Sequence, residues 1–222
     1  MRALLLPVKR IENAKQRLAP ILPPAQRQAL MAAMTADLFA AARAATAPDR
    51  VLVVTADPMA AATAAGFGWT VLHERMQTSE SASVDAASRQ CEALGVTALL
   101  RLPLDLPLVT PADIDALFAA APPNPGVMLV PSRDGTGTNA IMRSPPTLFP
   151  SQFGPGSFAR HVAAALLCGA PITHLRNPRV EMDVDDEADL RALLAHAPIG
   201  GATGAWLERA GRVISFALNI DI

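Results

Sequence analysis

Cysteine is nearly missing from this chain of 222 residues, where Cys91 and Cys168 are the only thiols. Each falls in an alanine-rich stretch of helical character, with no second Cys or His at metal-ligand spacing. That argues against a disulfide, and two buried free thiols in a reducing cytosol are expected. Charge is scarce as well: Asp, Glu, Lys and Arg make up 18% of the residues and the net charge is −1. Without a basic excess there is nothing to hold a nucleic-acid backbone, so no DNA or RNA partner is expected. Although 51% of the residues are hydrophobic, no run approaches the ~18 uninterrupted apolar residues of a membrane span. The apolar start, Met1 to Val8, is too short for a signal peptide and lacks a small-residue cleavage site. A soluble, cytoplasmic protein is the expectation. The four histidines, His73, His161, His174 and His196, are scattered without zinc spacing. A Gly-Lys-Ser/Thr phosphate loop, a dinucleotide fingerprint and a Gly-x-Ser-x-Gly elbow are all absent.

What is present alternates between short apolar runs and alanine-rich helical patterns. Ala3 to Val8, Val51 to Val54, Thr70 to Leu72, Ala98 to Leu102, Val127 to Val130 and Ala140 to Met142 read as strands. Several are apolar at every position, as in strands covered on both faces. Helices are expected over Pro24 to Ala45, from Asp57-Pro58 to near Gly66, over Val84 to Leu94, from Thr110-Pro111 onward, and over Ser157 to Cys168 with Ser157 as its cap. The pattern specifies a single α/β domain with a mostly parallel sheet and helices on both faces, spanning 1–197. Residues 198–222 form a C-terminal extension whose placement the pattern does not give.

The chemically suggestive segments all follow predicted strands, where ligands bind in such sheets. Lys9, Arg10, Lys15 and Arg17 form a basic loop after the first strand, fit to meet a nucleotide triphosphate. Asp105 stands among leucines and two prolines after a buried strand, a place where a carboxylate needs a cationic partner. Asp183 and Asp185 point to one side of an extended stretch, whereas Asp186 and Glu187 read as first-turn acids of the next helix. Magnesium takes one or two carboxylates together with substrate phosphates, which one aspartate from each half of the chain would satisfy. Two glycine-rich segments, Arg133 to Asn139 and Phe153 to His161, mix glycine with hydroxyl and amide residues. Such composition lets backbone N–H groups converge on an anion, and a helix start after Gly156 would add its positive end. Together these features point to a phosphorylated small molecule and to metal-assisted phosphoryl or nucleotidyl transfer, which needs no protein nucleophile.

These residues resemble the phospholactate guanylyltransferase family of deazaflavin coenzyme F-420 biosynthesis. The resemblance runs from Leu5 to Leu194. It rests on Pro7-Val8-Lys9 with Ala14-Lys15-Gln16-Arg17-Leu18, on Asp105-Leu106-Pro107-Leu108, on Pro131 to Ala140, on Phe153 to Phe158 and on Asp183-Val184-Asp185. It implies a single-domain, Rossmann-like (GT-A-like) nucleotidyltransferase fold and a Mg²⁺-dependent enzyme. GMP would pass from GTP to the phosphate of 2-phospho-L-lactate, phosphoenolpyruvate or 3-phospho-D-glycerate, with loss of pyrophosphate. Lys9 and Lys15 join Asp105 as catalytic candidates, and Asp105 with Asp183 or Asp185 matches the metal positions. Lys9, Lys15, Arg17 and Ser83 fall on the nucleotide side; Thr138, Asn139, Gly154, Ser157 and Arg160 fall on the phospho-acid side. The partners expected are GTP and the small acid, with no nucleic acid and no membrane, and a homodimer as a possible assembly. The chain departs from the family in having Leu104 before the Asp-Leu-Pro, and Glu80 to Asp85 where many members carry Gly-Leu-Asn near the base and ribose. The competing readings are a nucleotidyltransferase for a sugar phosphate or the molybdenum cofactor, and a non-catalytic phospholigand sensor of the same fold.

Overall fold

A computed structural model describes residues 1–9, 15–74 and 78–219; Arg10, Ala14 and the last three residues lie outside them. The apolar runs become seven strands: β1 (Arg2–Val8), β2 (Arg50–Thr55), β3 (Thr70–His73), β4 (Ala98–Arg101), β5 (Gly126–Pro131), β6 (Thr138–Ser144) and β7 (Ile172–His174). They form one sheet in the order β3-β2-β1-β4-β6-β5-β7. All pairings are parallel except those of β6, which returns antiparallel between β4 and β5. The helices are α1 (Pro24–Ala44), α2 (Pro58–Gly66), α3 (Glu80–Ala93), α4 (Pro111–Ala119), α5 (Ser157–Leu167), α6 (Glu187–Leu194) and α7 (Gly201–Leu218).

Successive side chains of a strand face opposite sides, and β1 shows the consequence. Leu4 and Leu6 pack with Leu38 and Phe39 of α1 and Ile114 and Phe118 of α4, whereas Ala3 and Leu5 pack with Val84, Ala87 and Cys91 of α3. Further along, Val127, Leu129 and Ile141 meet Ala165 of α5 on the α3 side. A strand covered on both faces must be apolar throughout, which is why the sequence shows unbroken runs and not alternation. Local signals set the helix starts. Asp57 accepts the N–H groups of Met59 and Ala60 at 2.8 and 3.1 Å, and Thr110 and Asp113 cap α4 reciprocally.

From β1 the chain steps outward through β2 and β3, then crosses back to place β4 on the other flank of β1. The switch point therefore lies between β1 and β4, and a crevice opens beyond their C-terminal ends. Because β6 is antiparallel to β4, its first residues, Thr138 and Asn139, arrive at that same edge.

Helix α7, beyond residue 197, folds against the domain. Trp206, Leu207, Ala210 and Ile214 of α7 share a core with Leu30 and Met34 of α1 and Leu190 and Leu193 of α6. Its flanking residue Gly200 has no side chain to cap the helix. Asp37 of α1 does so from outside, accepting the N–H groups of Ala202 and Thr203 at 2.7 and 2.8 Å.

Two sequence expectations are corrected. Cys91 is buried, and burial pushes its thiol up to about 11, but Cys168 at the end of α5 is exposed. Ser157 does not cap α5: Gly156 occupies that position at φ 69°, a left-handed conformation glycine adopts without cost, and the Ser157 hydroxyl turns to Thr138.

Candidate active site

The crevice has two connected lobes. A smaller one of about 270 Å³ lies over β1 and β4, between Pro7, Lys9, Lys15, Glu80 and Asp105. A larger one of about 680 Å³ extends toward β6 and α5, reaching Thr138, Gly154, Ser157 and Asp183. Glu80, Arg101, Pro103, Asp105 and Asp185 border both.

At the first lobe the basic loop and the carboxylates meet. The Lys15 ammonium donates to Asp105 Oδ2 at 2.5 Å and to Asp185 Oδ1 at 2.7 Å. Burial pulls this ammonium toward neutrality, but the two carboxylates outweigh it and hold its pKa above the ordinary lysine value. Asp185 also accepts from the exposed Arg17 at 2.8 Å. Burial alone would raise the Asp185 carboxyl; Lys15 and Arg17 bring it below the usual range. Lys9 donates to Glu80 at 3.0 Å, and burial together with Arg101 lowers its pKa.

Asp183 is differently placed. Among the described residues its one side-chain donor is Asn139 Nδ2 at 3.1 Å, and burial followed by the charge of Asp105 pushes its carboxyl up to about 6. Asp105 Oδ1 is buried with no hydrogen-bond partner among the described residues. Among those residues no group of three or more His, Cys, Asp or Glu side chains makes an all-protein metal cage. A hard divalent cation held mostly by substrate phosphates needs only one or two carboxylates. The unpartnered Asp105 oxygen and the cation-poor Asp183 fit that demand, whereas both oxygens of Asp185 are already engaged by Lys15 and Arg17.

Between the lobes lies Arg101, the last residue of β4. It ion-pairs with Glu80, donates to the Thr138 carbonyl at 3.2 Å and stacks 4.2 Å from the Phe153 ring centroid. Burial lowers its pKa to about 10 against the pull of Asp105 and Asp183. Its signal in the sequence is a lone charge ending an otherwise apolar strand, a feature the sequence reading passed over. Glu80 stands in the stretch noted for its departure from the family pattern, with no role expected for its carboxylate.

The second lobe is built by the glycine-rich segments, though not both in the expected way. The first closes on itself. The N–H groups of Gly135, Thr136 and Gly137 go to the Ser132 carbonyl, Asp134 Oδ1 and Ser132 Oγ at 2.9, 2.9 and 2.7 Å. With those donors spent internally, this loop is a rigid wall and not an N–H cradle. The hydrogen bond from Ser132 and then those from Thr136 hold the Asp134 carboxyl at about 2. The second segment passes through Gly154 at φ 111° and Gly156 at φ 69° into α5, and brings Ser157 Oγ to 3.2 Å from Thr138 Oγ1.

Of the site residues expected from sequence, Lys9, Lys15, Arg17, Asp105, Thr138, Asn139, Gly154, Ser157, Asp183 and Asp185 all border the crevice. Two do not. Ser83 is buried and donates to the Ser79 carbonyl, one turn back in its own helix. The Arg160 guanidinium folds over the loop before α5, donating to the Pro155 and Gln152 carbonyls. Asn139 borders the crevice but spends its amide on the Val180 and Glu181 carbonyls and on Asp183, so it orients the carboxylate segment.

The sequence family described as "Guanylyl transferase CofC like" matches residues 1–217. The chain is 38% identical over 200 residues to a phosphoenolpyruvate guanylyltransferase of Sphaerobacter thermophilus, covering 89% of this chain and 95% of that one. It is 39% identical over 190 residues to the enzyme of the same name from Conexibacter woesei, covering 85% of each. Among solved structures, a protein of Desulfovibrio desulfuricans G20 described as a nucleotide-diphospho-sugar transferase superposes with a TM-score of 0.77 at 16% identity, over 100% of this chain and 98% of that chain. A nucleotidyl transferase from Methanothermobacter superposes at 0.64, also at 16% identity, over 88% and 97%. At that identity the structures speak for the fold alone.

Proposed function

Because the chain belongs to the family of CofC-like guanylyl transferases, we propose that it moves GMP from GTP to the phosphate of a small three-carbon phospho-acid, with phosphoenolpyruvate the favoured acceptor. The observation that carries this is the two-lobed crevice at the β1/β4 switch point: one lobe faces half-buried carboxylates with cationic lysines, the other a hydroxyl pair beside a helix start. The triphosphate lies in the first lobe, where Lys9, Lys15 and Arg17 offer donors to its oxygens. The acceptor's anionic groups lie in the second, against Thr138, Gly154 and Ser157. An oxygen of the acceptor phosphate then bonds to the α-phosphorus of GTP as the bond to the bridging oxygen breaks, and pyrophosphate departs with that electron pair.

Nucleotidyltransferases in general use a divalent metal, and here we assign Mg²⁺ to Asp105 and Asp183, with Asp185 anchoring the lysine beside them. Bound there, the ion would neutralise phosphate charge at the attacking and leaving oxygens. Lys15 stays protonated between Asp105 and Asp185; Asn139 fixes the rotamer of Asp183; Arg101, which borders both lobes, offers a cation where nucleotide and acid meet. Holding the two ligands side by side in connected lobes would supply positioning and charge stabilisation, the main sources of rate in such a transfer.

Incubation of the protein with GTP, Mg²⁺ and, in turn, phosphoenolpyruvate, 2-phospho-L-lactate and 3-phospho-D-glycerate, with pyrophosphate release as the readout, tests the reading. Release should depend on GTP and be fastest with phosphoenolpyruvate; equal or greater turnover with CTP, ATP or UTP would assign a different nucleotide.

A further inference from the structure

His161 lies fully buried in α5 behind the acceptor lobe, edge-on to Phe153 at 5.1 Å between ring centroids. Neither the reaction nor the residues bordering the crevice account for it. Its ring makes two hydrogen bonds. The Gln152 main-chain N–H meets Nε2 at 2.9 Å, and Thr138 Oγ1 lies 3.0 Å from Nδ1.

An amide N–H can only donate, so Nε2 must carry the lone pair. Burial and the neighbouring guanidiniums of Arg143, Arg101 and Arg160 lower the ring's pKa to about 3, so it holds one proton at neutral pH. That proton resides on Nδ1 and is donated to Thr138 Oγ1. The same oxygen accepts from the Ser157 hydroxyl at 3.2 Å. A hydroxyl offers two lone pairs and one hydrogen. With both lone pairs of Thr138 filled, its hydrogen must leave the trio, and Thr138 borders the crevice.

With the opposite tautomer, Thr138 would donate to Nδ1 and Ser157 to Thr138. No hydroxyl hydrogen would remain for a ligand, and oxygen lone pairs would face an incoming anion.

We propose that His161 is a positioning residue for the acceptor site: its ring, locked as the Nδ1–H tautomer, turns the Thr138–Ser157 pair into a hydrogen-bond donor toward the bound phospho-acid. This rests on the reading that Thr138 and Ser157 hold that acid.

Two measurements test it. In wild-type protein with ring-¹⁵N histidine, the His161 resonances should show a pyridine-type Nε2 and a pyrrole-type Nδ1 at neutral pH; the reverse assignment overturns the proposal, whatever the variants do. In kinetics, His161→Asn sets an amide N–H near the position of Nδ1 and His161→Leu offers none. His161→Leu should raise the Michaelis constant for phosphoenolpyruvate about tenfold, the effect of one hydrogen bond to a charged group. His161→Asn should restore it to within about threefold, and neither should move the constant for GTP. Equal constants for the two variants would overturn the role of the Nδ1 proton. Thr138→Val and Ser157→Ala separate the layers. If they raise the acid's constant while His161→Leu does not, only the role of His161 fails; if they leave it unchanged, the assignment of the acceptor lobe fails with it.

Discussion

At the residue scale, the site is set by cations held against carboxylates, Lys15 between Asp105 and Asp185 and Arg101 against Glu80. Asp105 was legible in sequence because a charge among leucines and prolines needs a partner. The partner the structure supplies first is Lys15, donated by a loop about ninety residues away in sequence, a distance no spacing rule spans. Asp105→Asn should cut kcat by about 10²–10³-fold. Because it also removes one of the two carboxylates around a buried ammonium, a stability loss of roughly 1–3 kcal/mol is expected in the thermal or urea midpoint. Arg17→Ala should barely shift that midpoint, since its side chain is 64% exposed and such pairs are screened. His161 gives the protein an acid limit. Its folded pKa of about 3 lies below the ordinary histidine value, so its neutral state stabilises the fold fully above about pH 6.5. That contribution is lost as the pH falls from 6.5 toward 3, because the unfolded ring takes a proton that the folded ring refuses. Urea midpoints across that window should drop for wild type and drop less steeply for His161→Asn.

At the scale of elements, strands and helix starts were readable because local rules decide them: unbroken apolar runs for doubly covered strands, Asp57-Pro58 and Thr110-Pro111 for helix starts. The glycine-rich segments were harder. Composition announced two loops fit for anions, but it could not show that Asp134 and Ser132 consume the N–H groups of the first. Nor could it show that Gly156 takes the cap position at positive φ. Helix α7 was unplaced for a similar reason: its cap, Asp37, belongs to another helix. Asp37→Ala should therefore cost about 1–2 kcal/mol and lower the melting temperature by a few degrees. The Michaelis constant for GTP should not change, because α7 and the crevice share no residue.

For the whole molecule, alternation of strands and helices was enough to give the α/β class and the crevice beyond the strand ends. The switch between β1 and β4 came only with the strand order. The first lobe draws its groups from β1, α3, the loop after β4 and the segment before α6, pieces scattered along the chain. The hydroxyls, the glycine wall and His161 behind them come instead from one uninterrupted stretch, residues 132–161. Under the proposed assignment of the second lobe, acceptor choice is in this sense a cassette. An exchange of that stretch leaves the triphosphate side undisturbed only if it keeps Asn139, which holds Asp183, and the Thr138 carbonyl that meets Arg101. A chimera carrying that stretch from a relative with a different acid preference should inherit the relative's acid and keep this chain's nucleotide.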